Sequence, residues 1–66
     1  MPKDILILIN KGYRVVEKNA SNYHYHVFYK QTFLNLWAST KRYMPSTSMP
    51  SQEYEDIQEV IDYMEQ

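Results

Sequence analysis

His24 and His26 are the only histidines in the chain, and in Tyr23-His24-Tyr25-His26-Val27-Phe28-Tyr29-Lys30 they stand two apart in an alternating run. On a strand that spacing points both imidazoles to one side, where they could share a metal ion or serve as a general base. A metal site needs about two further ligands, yet the chain has no Cys and the nearest carboxylate in sequence is Glu17. Neither a metal nor another cofactor is therefore expected. No Ser-His-Asp or Cys-His arrangement has positional support, so no catalytic residue is assigned. Ser39-Thr40-Lys41-Arg42 sets hydroxyls beside two cations, but Gly12 is the only glycine, which excludes a glycine-rich phosphate loop.

Binding is the better-supported chemistry. Phe28, Phe33 and Trp37, interleaved with Arg14, Lys18, Lys30 and the two histidines, make an aromatic and basic surface. Bases could stack on it, and the same residue types anchor protein interfaces. A plainer role for Phe33 and Trp37 is a second half of a small core. Arg14, His24, His26, Phe28, Lys30, Phe33 and Trp37 are thus candidate partner-binding residues on a sheet face. A second candidate set is acidic: Glu53, Glu55, Asp56, Glu59 and Asp62, on a C-terminal helix. An acidic helix can imitate nucleic-acid phosphates towards a basic enzyme. The net charge of −1 conceals this division. Residues 1–43 hold all seven Lys and Arg against Asp4 and Glu17, whereas residues 44–66 hold six acidic residues and no basic one. The two parts either neutralise each other within the fold or address separate partners. The reading that follows is a small interaction protein that binds another protein, a second copy of itself among the candidates. RNA binding is the alternative, since the acidic tail and net charge disfavour strong phosphate binding.

The elements that must hold these residues are legible from periodicity. Tyr13–Lys18 alternates and reads as a strand, Asn19-Ala20-Ser21-Asn22 as a turn, and 23–30 with 32–39 as a hairpin linked at Gln31. In the hairpin Tyr25, Val27, Leu34 and Leu36 fall on one face; His24, His26, Phe28, Phe33, Asn35 and Trp37 fall on the other. Residues 4–10 stay open. Pro2-Lys3-Asp4 resembles a helix entry with Gly12 as its left-handed stop, but Ile5, Ile7 and Ile9 alternate with Leu, and Asn10-Lys11-Gly12 would also turn between strands. Residues 40–44 continue or leave the last strand, and a Pro/Ser/Thr loop spans 45–50. Ser51 is the expected N-cap of a closing helix with Tyr54, Ile57, Val60, Ile61 and Met64 on its apolar stripe. Asp62 and Glu65 sit at the wrong end for the helix dipole, so its last turn should fray. The expected fold is α+β, a three-stranded antiparallel meander flanked by two helices (α-β-β-β-α), or ββββα if residues 4–10 form a strand.

Sixty-six residues without cysteine permit one small domain, residues 1–66, with no disulfide to supplement its core. The longest apolar run, Ile5–Ile9, is far short of a membrane span, and no basic stretch precedes it as in a signal peptide. A cytoplasmic protein with no membrane contact is expected.

Two resemblances extend this reading. Gly12-Tyr13 after a short helix, followed by strands with histidines on the second, resembles the HicA family of messenger-RNA-cleaving toxins, which share the fold of double-stranded-RNA-binding domains. The resemblance implies that topology, and a catalytic histidine at His24 or His26 as an alternative to pure binding. The family's Gly-Ser-His-rich stretch is replaced here by histidines separated by Tyr25 with no adjoining glycine. Leu34-Asn35-Leu36-Trp37-Ala38-Ser39-Thr40-Lys41-Arg42-Tyr43 is similar to a hydrophobic-Trp-Pro-Ser/Thr-Thr-Gly-Lys-aromatic stretch of short phage proteins, with Ala38 in place of Pro and Arg42 interrupting the Gly-Lys order. That likeness implies a phage-encoded protein acting in the host cytoplasm. Proteins of that kind often bind and block a host factor, such as a defence nuclease.

Overall fold

The opening segment resolves as a helix in the computed structural model, which describes residues 1–46 and 48–66. Helix α1 spans Lys3–Asn10, with Pro2 as N-cap and Lys11 as C-cap. Its stop explains why the helical alternative prevails over the strand. Gly12 takes φ +93°, its N–H donates to the Ile9 carbonyl at 3.0 Å, and the Tyr13 N–H donates to that of Leu8 at 3.1 Å. These are the two bonds of a Schellman cap, and they satisfy carbonyls that a helix end otherwise leaves without partners. Asn10-Lys11-Gly12 is thus a helix terminus, and Ile5 and Leu8 are completely buried beneath it.

Three strands follow as the alternation requires: β1 (Arg14–Asn19), β2 (His24–Tyr29) and β3 (Thr32–Trp37), all antiparallel. Lys30 and Gln31 form the β2–β3 turn, with Lys30 in left-handed geometry at φ +55°. The expected count of three strands is too low. Residues 38–41 reverse the chain, with Lys41 at φ +53°, and β4 (Arg42–Met44) returns along β3. A further short strand, β5 (Gln52–Glu53), pairs with β4. The described residues therefore form a five-stranded sheet in the order β1-β2-β3-β4-β5. Two prolines explain the gap before β5: Pro45 and Pro50 offer no N–H to a ladder, so pairing resumes only at Gln52. Of the loop expected at 45–50, Thr47 lies outside the described residues.

The closing helix also starts later than expected. Helix α2 spans Ile57–Met64, and its N-cap is Asp56 rather than Ser51. Asp56 Oδ1 accepts from the Gln58 N–H (2.8 Å), while Glu59 Oε2 accepts from the Asp56 N–H (3.1 Å), completing a capping box. Ser51, Glu53, Glu55 and Asp56 consequently lie outside the helix. Its last turn has a partner from elsewhere in the chain: Glu65 Oε2 accepts from the Tyr13 hydroxyl at 2.5 Å and lies 3.9 Å from Lys11 Nζ.

The core lies between the helices and one face of the sheet. Val15, Val27 and Leu34 form one cross-strand row, and Glu17, Tyr25, Leu36, Tyr43 and Gln52 the next. Val27, Leu34 and Leu36 are completely buried and Tyr25 nearly so, packed with Ile5, Leu8, Tyr13, Tyr54, Ile57, Val60, Ile61 and Met64. Burying one such aliphatic side chain is worth about 1.5–3 kcal/mol against leaving it exposed. Two tyrosines fix the helix layer at opposite ends. The Tyr54 hydroxyl, just before α2, donates to Asp4 Oδ2 at the start of α1 (3.1 Å), and Tyr13, just after α1, reaches Glu65 at the end of α2. The helices therefore run in the same direction across the same face, leaving the sheet's other face uncovered.

Candidate functional site

The uncovered face is organised as three rows, each set by strand register. Arg14, Phe28 and Phe33 form the first; Val16, His26, Asn35 and Met44 the second; His24, Trp37, Arg42 and Glu53 the third. The register that sequence alternation implied is therefore the one the fold adopts. At the β1 edge a bulge between Glu17 and Asn19 makes Lys18 the extra residue. It brings the Lys18 ammonium near enough for its charge to act on His26.

Within the rows the side chains contact one another closely. The Arg14 guanidinium carbon lies 5.5 Å from the Phe28 ring centroid, a cation–π distance. Phe28 and Phe33 are 5.0 Å apart, and Phe33 meets the edge of His26, also at 5.0 Å. His24 stacks on Trp37 at 4.6 Å with only 10° between the ring planes. His24 Nε2–H donates to Asn35 Oδ1 at 2.9 Å. Asn35 is only 9% exposed although it points away from the helices. The surrounding rings cover it, and the bond to His24 meets the requirement that a buried amide be paired. Phe33, by contrast, is 37% exposed.

The electrostatics are one-sided. Desolvation lowers the proton affinity of His26, the Lys18 and His24 charges lower it further, and a hydrogen bond with Asn35 opposes them. Glu53 is the one carboxylate in these rows, and Arg42 Nη1 donates to it at 2.9 Å. Arg42 is held further by its Nε donating to Ser51 Oγ (3.1 Å) and its Nη2 to the Ser51 carbonyl (3.2 Å). Glu17 shares the covered face with Tyr25.

Six of the seven expected sheet-face residues are brought together: Arg14, His24, His26, Phe28, Phe33 and Trp37. Lys30 is not among them. It sits in the β2–β3 turn, with its Nζ 5.4 Å from the centroid of Tyr29, a ring packed against the core. The expected acidic helix face is dispersed. Glu53 belongs to β5 and pairs with Arg42, Glu55 precedes the helix, Asp56 and Glu59 form the capping box, and Asp62 Oδ1 accepts from Gln58 Nε2 at 2.9 Å. Four of these five carboxylates thus have structural partners. Asn35 as a buried hub and Ser51 as a partner for Arg42 were not apparent in the sequence, because both depend on register between distant strands.

No family model, curated protein or solved structure matches this chain. Its chemistry must be argued from the face itself. Among the described residues no group of three or more His, Asp or Glu side chains is placed to hold a metal ion, and no helix is long and apolar enough to cross a membrane. Two clefts, of about 460 and 260 Å³, open beside Tyr29 and Glu65 and beside Asp4 and Lys41, and neither is lined by a residue of the three rows. What the rows present is a set of adjoining rings with Phe33 exposed, a surface that suits a macromolecule better than a small ligand.

Proposed function

We propose that this protein is a non-enzymatic interaction module that docks another protein on the uncovered face of its sheet. One observation carries the reading: both helices pack on a single face, and on the other Phe28, Phe33, His26, His24 and Trp37 form a continuous aromatic layer that no helix among the described residues covers. Aromatic residues and Arg dominate binding energy at protein interfaces, where flat, preformed surfaces are the norm. Nucleic acid is the weaker reading, because Arg42 is committed to Glu53 and Ser51 while Lys30 lies off the face. Arg14 and Lys18 remain, too few for the several phosphate contacts that sustain backbone binding.

The likeness of residues 34–43 to phage proteins supports a more specific form of the proposal, a phage-encoded protein that binds and blocks a host factor such as a defence nuclease in the host cytoplasm. Tagged protein retained on a column would be challenged with host lysate, alongside Phe33→Ala and Trp37→Ala variants of unchanged circular dichroism. Hot-spot truncation at the face should weaken retention at least about thirtyfold. A Glu55→Lys variant, altering the helix side, should leave retention unchanged. Retention that survives both face substitutions, or that depends on Glu55 instead, would sink the proposal.

A further inference from the structure

The charge around the docking face narrows the chemistry of its partner. Its rows carry Arg14 at one corner, with Lys18 and two imidazoles along the β1–β2 side, and their only carboxylate, Glu53, is neutralised by Arg42 at 2.9 Å. The remaining carboxylates of the chain lie on the helix side or at the covered edge, including Asp4, Glu17, Glu59 and Glu65. Only two ion pairs are formed among the described residues, Lys11–Glu65 and Arg42–Glu53. Among the described residues Arg14 and Lys18 are thus the cations of this face without an ion-pair partner, whereas Arg42 is paired and Lys3, Lys11 and Lys41 lie on the helix side beside Asp4, Glu55, Asp56 and Glu65.

From this local excess of positive charge we infer that the occupant of the face is an acidic protein segment, one that sets Asp or Glu side chains against Arg14 and Lys18 and apolar side chains against Phe28 and Phe33. This rests on the protein-docking reading above and specifies its partner. A second copy fits less well, because two such faces, each with an excess of positive charge, would repel one another. A basic partner would meet the same repulsion. The apolar centre supplies affinity, and the flanking charge supplies selection and association rate.

The test uses the full chain and its single tryptophan, Trp37, whose fluorescence reports occupancy directly. Three peptides of about 14 residues would share one pattern of Leu and Phe, with the intervening positions all Glu, all Ser or all Lys, and an oligouridine of about ten nucleotides would be the fourth probe. At about 50 mM salt the Glu peptide should bind at least about tenfold tighter than the Ser peptide, with the Lys peptide weakest, and the preference should shrink at about 300 mM salt. Lys18→Glu should abolish the preference by lowering the Glu peptide's affinity to or below that of the Ser peptide, and Phe33→Ala should weaken every peptide. Equal affinities for the three peptides, still sensitive to Phe33→Ala, would overturn the acidic preference and leave protein docking standing. Tighter binding of oligouridine than of any peptide would overturn both. If no probe perturbs Trp37, the acidic-segment inference falls, and the lysate experiment judges docking independently.

Discussion

The two faces of this sheet come from the same strands and differ by one residue of register, yet they solve opposite problems. On the covered face Val27, Leu34 and Leu36 are wholly buried under two helices, with polar atoms confined to the rim, where the Tyr13 and Tyr54 hydroxyls donate to Glu65 and Asp4. On the uncovered face aromatic and polar groups are interleaved in every row, so that Asn35 is shielded by rings and answered by His24 while Phe33 remains exposed. The first face is closed by volume and the second by hydrogen bonds and stacking. A strand pair in which one side carries the stability leaves the other side free to vary for binding.

Truncation separates the two faces most sharply. Leu36→Ala on the covered face should cost about 3 kcal/mol, which rivals the whole net stability expected of so small a domain, and should appear in urea denaturation as a largely unfolded chain at 25 °C. Phe33→Ala on the uncovered face should cost below about 1 kcal/mol, since more than a third of that residue is already in water. Equal losses at the two positions would show that the uncovered face is a second core, not a docking surface.

The rim tyrosines give the next effect. Burial and the neighbouring carboxylates, Glu65 for Tyr13 and Asp4 for Tyr54, hold both phenols protonated well above their ordinary value of 10.0. The folded chain thus keeps protons that the unfolded chain releases, so stability is intact below about pH 10 and falls as pH rises beyond it. Tyr13→Phe and Tyr54→Phe should each cost about 1 kcal/mol at neutral pH. In the double variant the urea midpoint should lose part of its decline above pH 10, the rest coming from Tyr25 and Tyr43, whose phenols burial also holds above 10.0. A decline of undiminished size would place its origin elsewhere.

How much of this was legible follows from the length of each element. The alternation from Tyr23 to Ser39 reveals both faces because six-residue strands display several periods of their pattern, and Gly12 marks the end of α1 because no other residue so readily takes φ +93°. Strands β4 and β5, of three and two residues, are too short to show a period and exist because β3 offers an edge. The beginning of α2 was misplaced at Ser51 because an N-cap residue before an acidic, apolar stripe occurs twice. The decisive signal was the Asp56–Glu59 spacing of a capping box, which Ser51, with Tyr54 three positions on, lacks. The face's membership was readable from alternation. Its internal bonds, His24 to Asn35 and Arg42 to Ser51 and Glu53, were not, because they join positions that only the folded register makes neighbours.

The smallest expected effect tests whether the uncovered face is closed tightly enough to resist protonation. Desolvation, with the Lys18 and His24 charges, lowers the His26 proton affinity below the ordinary histidine value of 6.5. The unfolded chain therefore binds a proton that the folded chain refuses over the interval just below pH 6.5. The sign follows from linkage: this contribution is complete above that pH and is lost as pH falls through the interval. His26→Gln keeps a polar side chain at the position but cannot titrate, so it should reduce the loss of urea resistance between pH 7 and 5.5 relative to the parent chain. The imidazole itself can be followed by NMR, where the His26 ring should titrate below the model-peptide value. Because Lys18 contributes to the shift, Lys18→Gln should move that midpoint back up without altering the fold. If His26 titrates normally in both chains, water already enters beneath Phe33, and the ring layer that sets this face apart from an ordinary solvated sheet surface is not closed.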